Sequence, residues 1–478
     1  MQRRHMRAGA TITRSLSCSD NLPRGREMSL SSSTALLKLP PEIFLSIFQS
    51  LLPPDLCAVC LACRTLRSLA EPSLYSRIHW TWMDTRSPPI ILLLRSILSR
   101  PQLAAHIRAL VLDGDNFGRT RDGGQPPTVP VTTAELDKPI AFIKKINVPY
   151  EDLWIQKLQW GEMDAFIALL LSQLSNLRYL HLDCNFAKVS RIVGMVLRSA
   201  LCEPVDRGLS TFQRLRDISF SIRSGLFRKD EVYTMADVLP FFYLSTVRSI
   251  SASIGNPVAF AWPAQHAPTC SALTSLDLTS IRESHLRHIL SCTTGLKKLR
   301  WEWFYREDLR DRFLSPIIDL DRIVEAISPV RRTLTELTIT AWCAMVRAEG
   351  PLLTIKGSMA AIVNFESLKR VEVPQPFLMG FSPSTGYPLD HVIPRNIESL
   401  IITDDLTANK GNELHDFTVL LRIRSWLESW RATTPHLGSL SLSLKITKDE
   451  WDSMMRSELR QLAIEAGVSV KITKLLRE

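Results

Sequence analysis

A short leucine frame recurs along most of the chain and constrains its fold more than any other feature. The frame is a leucine, two residues, a leucine, one residue and a leucine, and its clearest copy is Leu177, Leu180 and Leu182, with Asn185 in the ninth position. Further copies with leucine or another apolar residue at these positions are Ile107/Leu110/Leu112, Leu215/Ile218/Phe220, Val247/Ile250/Ala252, Leu273/Leu276/Leu278, Leu296/Leu299/Trp301, Leu334/Leu337/Ile339, Leu368/Val371/Val373, Ile397/Leu400/Ile402 and Leu437/Leu440/Leu442. Because successive side chains of a strand point to opposite faces, the frame predicts short strands with one apolar face.

Helical segments alternate with these predicted strands. They run from Met163 to Leu174, Val189 to Leu197, Leu286 to Leu290, Ile323 to Ile327 and Phe417 to Trp430. A strand and a helix of this kind cannot bury their apolar sides without a neighbouring unit, so the units are expected to stack around one continuous core. A helix from Asp449 to Glu465 and a strand through Val470 are expected to close the array.

This alternation resembles the leucine-rich repeat family, whose period is about 20–29 residues. Successive frames here are spaced by 23 residues in one place and by 40 in another. The resemblance implies an α/β leucine-rich-repeat-like solenoid over residues 105–478. Two Pro- and Gly-containing stretches, near 118–133 and 374–394, interrupt the pattern and are expected to be exposed loops.

The segment from Leu39 to Ile78 has a different, tightly helical pattern. Ile43, Ile47 and Leu51 recur every four residues, which indicates one apolar helix face. Two further short helices are expected before Pro72, which we expect to end the third. Three helices in about forty residues bury little surface alone, since domains this small are marginal without help. The segment is therefore expected to dock onto a partner.

In order and spacing, this segment resembles the F-box. The resemblance implies binding to a Skp-type adaptor and, through it, to cullin and RING subunits. The residues that it implies for adaptor binding are Leu39, Pro40, Ile43, Ile47, Leu51, Leu56, Val59 and Leu66. The chain as a whole resembles F-box proteins of the fungal type with degenerate leucine-rich repeats. An α+β protein is thus predicted, with a disordered basic, Ser-rich leader at 1–34, a three-helix F-box at 36–80, a helical linker at 81–104 and the repeat domain beyond.

Charge and cysteine content narrow the function classes. The net charge is +10, and the first thirty residues supply part of it, with six arginines against two acidic residues. Because no compact basic stripe with interleaved aromatics follows, the charge argues against nucleic acid as a partner. Nine scattered cysteines and the lack of a recognisable signal peptide predict the cytoplasm or nucleus. No apolar run approaches the roughly 20 residues of a spanning helix, so no membrane contact is expected.

Neither metal binding nor catalysis is expected from the motifs. Cys57, Cys60 and Cys63 form a C-x-x-C-x-x-C run, but cysteine is by default a small buried hydrophobe, so a helical core is the favoured interpretation. His285 and His288 are expected on an exposed polar helix face, because a zinc protease would need histidines four residues apart around a glutamate. No phosphate-binding glycine loop or nucleophile elbow is present. We therefore expect no cofactor and no enzymatic activity.

The frame leucines should point into the core, so the side chains between them should face solvent on the concave side of the array and form a binding surface. The candidates for contacting a target are Tyr179, His181, Asp183, Lys298, Arg300 and Glu302, with Trp303 and Tyr305 expected beside the last three. The combined prediction is a substrate receptor of a Skp–cullin–F-box ubiquitin ligase that directs ubiquitin-dependent degradation of a target protein. The alternative is a non-catalytic repeat scaffold that binds protein or nucleic acid without directing ubiquitination.

Overall fold

The structure is a computed structural model that describes residues 39–83, 87–114, 128–187, 190–203, 205, 207–220, 237–307, 313–343, 352–384, 386–444 and 451–474. The chain divides into two compact units, Met1–Glu71 and Pro72–Glu478, which we call the helical unit and the sheet unit. The predicted leader at 1–34 lies outside the described residues. Within those residues, no helix combines the length and the apolar character that crossing a bilayer requires.

The helical unit contains helices α1 (Pro41–Ser50) and α2 (Pro53–Ala62) and the start of α3 (Arg64–Ser76). Prolines occupy the first positions of α1 and α2, where the backbone N–H groups have no helical partner anyway. The prediction that Pro72 ends the third helix is wrong, because α3 continues through it to Ser76. A proline removes one N–H donor, and the turns on either side of it can persist.

The sheet unit is built on short strands. They are β1 (Arg77–Trp82), β2 (Ala109–Gly114), β3 (Tyr179–Leu182), β4 (Asp217–Phe220), β5 (Ser249–Ser253), β6 (Ser275–Thr279), β7 (Lys298–Tyr305), β8 (Ile317–Asp319), β9 (Glu336–Cys343), β10 (Thr354–Lys356), β11 (Arg370–Pro374), β12 (Ser399–Thr403), β13 (Ser439–Leu444) and β14 (Ser469–Lys474). Among the described residues, twelve of these form one sheet in chain order, while β8 and β10 pair with each other. All pairings are parallel. The predicted α/β solenoid fold is confirmed.

The pairing register aligns the frame leucines into ladders. One ladder runs across the whole sheet through Ile78, Leu110, Leu180, Ile218, Ile250, Leu276, Leu299, Leu337, Val371, Leu400, Leu440 and Val470. From β2 to β13 its members are at most 2% exposed. Each strand covers the apolar residue of the strand before it, so the core is continuous along the array.

Helices and short helical turns connect the strands. The α-helices of the sheet unit after α3 are α4 (Ile90–Ser99), α5 (Thr133–Ile146), α6 (Glu151–Gln159), α7 (Met163–Leu171), α8 (Cys184–Ala187), α9 (Arg191–Leu201), α10 (Glu283–Leu290), α11 (Leu320–Ile327), α12 (Gln375–Met379), α13 (Asp416–Thr433) and α14 (Ser453–Ala466). Each helix predicted from the sequence overlaps one of these helices, and the predicted starts at Val189 and Asp449 lie outside the described residues. As expected, α14 and β14 close the described array, and Gly467 follows α14 in the left-handed conformation with φ 73°.

Three stretches differ from the sequence predictions. The predicted helical linker at 81–104 begins within β1, which pairs with β2 and so belongs to the sheet. The predicted loop at 374–394 instead contains α12, whose Phe377 and Met379 are buried, because its apolar residues lack a regular period but still reach the core. Of the predicted loop at 118–133, residues 118–127 lie outside the described part. Thr133 begins α5, which a Thr132–Glu135 capping box starts.

Candidate functional site

The helical unit presents apolar side chains to solvent. On α1, Ile43 is 46% exposed and Ile47 is 40% exposed, and Leu39 just before the helix is 37% exposed. A neighbouring face of the same helix is buried through Phe44 and Phe48, whose ring centroids lie 5.7 Å apart. Residues four apart lie on one helix face, so Ile43 and Ile47 form an exposed apolar stripe beside a buried aromatic one.

The residues predicted to bind an adaptor therefore fall into two groups. Leu39, Pro40, Ile43 and Ile47 are exposed, whereas Leu51, Val59 and Leu66 are half-buried and Leu56 is buried. The residues of the second group pack between the helices of this unit, and they leave less side-chain surface for a partner than the first group does.

The sequence prediction also missed three exposed apolar residues of this unit. Leu45, Leu52 and Leu61 are 44%, 68% and 77% exposed. Leu45 follows Phe44 by about 100° round the helix, so both flanks of the buried face that runs through Phe44 are exposed.

The cysteine run of the helical unit is only partly core. Cys60 is buried, Cys63 is half-buried and Cys57 is exposed, and all three are free thiols. Burial raises the pKa of Cys60, with smaller effects from Cys57 and Glu71. The Cys63 sulfur accepts a hydrogen bond from the Leu66 N–H at 3.4 Å, which caps the start of α3. Among the described residues, no group of histidine, cysteine and acidic side chains is arranged to hold a metal ion.

On the outer face of the sheet, an aspartate joins two histidines across three strands. Asp113 of β2 lies 2.6 Å from Nε2 of His79 on β1 and 3.3 Å from Nε2 of His181 on β3. Both ring nitrogens are therefore placed to donate to one carboxylate. Tyr179, two residues before His181, is exposed on the same face, and Asp183 follows the end of β3 half-buried. The first half of the predicted target surface is thus a polar patch with an exposed tyrosine at its edge.

The second half lies on β7, which is separated from β3 by three intervening strands. Lys298 and Arg300 are exposed, and Glu302 is half-buried. The Lys298 ammonium is 2.7 Å from a Glu336 carboxylate oxygen on β9, and Arg300 Nε is 3.9 Å from an Asp277 carboxylate oxygen on β6. These ion pairs cross between neighbouring strands, so the cluster is a mixed-charge surface rather than a basic one.

Asp277 lies at the centre of this second cluster. Burial raises the pKa of its carboxyl group, even though Arg300 and the Ser251 hydroxyl favour its charged form. The Ser251 hydroxyl lies 3.4 Å from the carboxylate.

Two side chains that were predicted to be at the surface, those of Trp303 and His285, are buried. Trp303, expected beside the charged cluster, is fully buried, and the Arg282 guanidinium stacks over its ring at 4.7 Å. Strand alternation itself places Trp303 on the inner face with Trp301. His285, expected on an exposed face, is buried, with Nε2 2.7 Å from the Pro257 carbonyl oxygen and its ring against Phe313.

Behind the sheet, a buried carboxylate caps a helix from outside. Asp164 of α7 is 6% exposed and accepts the backbone N–H groups of Ile192 and Val193, in the first turn of α9, at 2.6 and 3.2 Å. Burial raises the pKa of Asp164 to about 7, although those two hydrogen bonds favour the charged form. A second buried carboxylate, Asp237, accepts a hydrogen bond from the Ser190 hydroxyl and adds to the rise through its charge.

Comparisons with known proteins bear on the helical unit. Residues 36–80 match the family model described as F-box-like, so the chain carries an F-box-like domain there. F-box domains generally bind Skp-type adaptors. No curated protein matches the sequence. Among solved structures, a structural-genomics target from Bacteroides fragilis is similar at 14% identity over 49% of this chain and 68% of that chain, with a TM-score of 0.27. A likeness at that level carries no argument about fold or function.

Proposed function

We propose that this chain is the substrate-recognition subunit of a Skp–cullin–F-box ubiquitin ligase. The observation that carries the proposal is the coincidence of the F-box-like match with the apolar stripe that Ile43 and Ile47 expose on α1. Large apolar side chains scattered singly on a surface need no explanation, whereas several on one small helical unit are typical of a docking surface.

The energetics of this stripe suit an adaptor. Fully burying one isoleucine or leucine side chain contributes about 1.5–3 kcal/mol. Leu39, Ile43 and Ile47 are 37–46% exposed, so burying the rest of all three contributes about 2–4 kcal/mol in total, part of the roughly 8–12 kcal/mol of a micromolar to nanomolar affinity. The exposed Leu45, Leu52 and Leu61 enlarge the candidate surface beyond the residues that the F-box resemblance implies.

For the target, we propose the outer face of the sheet. Its side chains are mostly polar and rest on a rigid ladder of parallel strands, and extended faces of repeat arrays commonly bind proteins. The two candidate patches are the His79–Asp113–His181 cluster with Tyr179 and the β7 cluster of Lys298, Arg300 and Glu302. We assign the sheet unit to the degenerate leucine-rich repeats of fungal-type F-box proteins as part of the same proposal.

The proposed mechanism is proximity without chemistry by this chain. A target held on the sheet unit is brought near a ubiquitin-charged enzyme that the cullin scaffold carries, which raises the effective concentration of its lysines. The chain itself forms no covalent intermediate. It acts in the cytoplasm or nucleus, where such ligases and their targets meet.

The adaptor part is tested by co-purification of the full chain with a Skp-type adaptor. We expect Ile43→Asp with Ile47→Asp to weaken adaptor binding at least tenfold, because a charged side chain would have to be buried at the contact. The matched control is Ile464→Asp, since Ile464 is an isoleucine exposed on the helix α14 of the other unit. Equal binding by the double variant, or no binding by the unaltered chain, would contradict the proposal.

The target part is tested in cells that lack the chain. Proteins whose ubiquitin-remnant peptides decrease and whose abundance rises are candidate targets, and they should bind the sheet unit of the unaltered protein. Arg300→Ala and His181→Ala are expected to reduce that binding while adaptor binding is unchanged. If adaptor binding holds but no protein is stabilised, the chain is a scaffold rather than a substrate receptor.

A further inference from the structure

Two cysteines of successive repeats lie side by side in the sheet unit. Cys270 precedes β6 and Cys292 precedes β7, and their sulfur atoms are 3.7 Å apart. The backbone N–H of Cys270 donates to the Cys292 carbonyl oxygen at 3.2 Å. Main chains joined by such a bond lie roughly 5 Å apart. Disulfides join Cα atoms about 4.4–6.8 Å apart, so both main chain and sulfur atoms are close to bonding geometry.

The sulfur of Cys292 can be reached from solvent. Cys270 is 3% exposed, whereas Cys292 is half-buried. Both line a surface depression of about 460 Å³ whose walls include Trp262, Pro268, His288 and Ser291. A small oxidant in this depression therefore meets Cys292 first, with Cys270 directly behind it.

We propose that Cys270 and Cys292 are a modification site that forms a reversible disulfide on exposure to hydrogen peroxide. In the first step the Cys292 thiolate attacks one peroxide oxygen. The O–O bond breaks, an S–O bond forms, and the departing hydroxide takes up the proton released by Cys292 to give water. In the second step the Cys270 sulfur attacks the Cys292 sulfur. The S–O bond breaks, the S–S bond forms, and the proton of Cys270 leaves with the hydroxide as a second water.

The surroundings of the two sulfurs explain why Cys292 reacts with peroxide first and Cys270 attacks it second. The hydrogen bond to the Cys292 sulfur and burial both raise the pKa of the Cys270 thiol, which keeps it protonated and unreactive alone. Its thiol also faces the Phe242 carbonyl oxygen at 3.1 Å, and the Cys292 thiol faces that of Ile289 at 3.0 Å. The disulfide gives up these hydrogen bonds and joins two repeats whose cysteines are 22 residues apart. It would therefore fix β6 against β7, the strands that carry Asp277 and Arg300.

Peptide mapping of the full-length protein tests the proposal. Reduced protein is treated with hydrogen peroxide, its free thiols are blocked, and it is digested with trypsin. Cys270 falls in the peptide 249–282 and Cys292 in the peptide 288–297, each with a single cysteine. We expect these two peptides to become linked, with equal loss of both free thiols, and dithiothreitol to separate them. The oxidised protein should unfold a few degrees higher than the reduced one, because the cross-link restricts the unfolded chain.

Cys292→Ser provides the control, since serine removes the accessible sulfur with little change in volume. In this variant we expect no linked peptide and no peroxide-dependent rise in Tm. The exposed Cys57 serves as an internal measure of general thiol oxidation. Oxidation of Cys57 while both peptides stay unlinked, or oxidation of Cys292 beyond the sulfenic acid without a link to Cys270, would overturn the proposal. Because the wild-type map alone decides this, the test does not depend on the variant's folding.

Discussion

The two units differ in how far their large apolar side chains are exposed to solvent. The helical unit leaves Ile43 and Ile47 about as exposed as polar surface residues, whereas the sheet unit covers Leu180 and Leu440 completely. The sequence patterns that produce them are equally apolar. The difference lies in the number of neighbours: inside a ladder each strand has a partner on both sides, while a three-helix unit has too few elements to cover all its faces. Exposure therefore separates residues that stabilise this chain from residues available to a partner.

The strongest test of this contrast is a pair of truncations. Leu180→Ala is expected to lower the free energy of unfolding by about 2–5 kcal/mol, because it leaves a cavity in a fully covered ladder. Ile47→Ala is expected to lower it by about 1 kcal/mol or less, since 40% of the residue is already exposed to water. Urea unfolding followed by circular dichroism measures both. Similar losses from the two substitutions would mean that the α1 stripe is a structural contact.

A second test uses the buried charge behind the sheet. The folded-state pKa of Asp164, about 7, lies above the value near 4 of an unfolded chain. Between these pH values the folded state holds a proton that the unfolded state has released, so stability falls as the pH rises from about 4 to 7. One group contributes up to about 1.4 kcal/mol per pH unit. We expect Asp164→Asn to flatten this dependence, measured as unfolding midpoints at pH 5 and pH 7.

The control for that measurement is Asp217→Asn, which removes one carboxylate from the exposed face of β4. This substitution should leave the slope between pH 5 and pH 7 as it is in the unaltered protein. If Asp164→Asn and the unaltered protein show the same slope, the carboxylate of Asp164 stays charged in the folded state. The hydrogen bonds from the start of α9 would then outweigh the effect of burial on its pKa.

A smaller effect is expected at the first edge of the sheet. The Asn185 side-chain N–H₂ donates to the Trp82 carbonyl oxygen at 3.0 Å and ties the segment after β3 to the end of β1. Asn185→Ala leaves that buried acceptor without this donor, which costs about 1–3 kcal/mol. Hydrogen exchange should show the loss as faster exchange in β1 and β2, with β12 to β14 unaffected. Uniformly faster exchange would mean that the array unfolds as one cooperative unit.

The smallest effect is expected on the outer face. The His79–Asp113 pair joins side chains that are 56% and 38% exposed, and exposed pairs contribute about 0–1 kcal/mol. His79→Ala should therefore shift the thermal midpoint very little while altering a surface proposed for target binding. A large loss of stability would show that this patch holds the sheet together and would weaken its assignment as a binding surface.

Strand and helix positions in the sheet unit could be predicted because every repeat restates the same frame. Leu276 and Leu299 are paired in the register simply because each is the middle leucine of its own copy. The strand Arg77–Trp82 was missed because its copy of the frame, Tyr75/Ile78/Trp80, has aromatic residues at two of the three positions and lies in the segment assigned to the F-box. The helices α5 and α6 were missed as well, although Thr132 and Glu135 provide a capping signal for α5.

The candidate sites could be predicted less well than the fold, since side-chain surroundings depend on residues far away in sequence. Strand alternation correctly places His181 and Arg300 on the outer face. It does not reveal that Asp113, more than sixty residues before His181, supplies the partner carboxylate. Likewise, the burial of His285 depends on the Pro257 carbonyl and Phe313, neither of which has a recognisable pattern. Periodicity in the sequence therefore cannot predict side-chain contacts between residues that are distant in sequence.

The strand order has a consequence for how such a chain changes in evolution. In the large sheet, each strand pairs with the strand that follows it in the sheet order, which is also the chain order. Extra segments can therefore be added between two strands without changing which strands pair. The chain already contains such additions: β8 and β10 pair with each other, while Lys298 still meets Glu336 across β7 and β9 in unbroken register. Duplication or loss of a repeat would accordingly lengthen or shorten the outer face stepwise. A lineage could thus change the surface that we propose for target binding while the helical unit stays untouched.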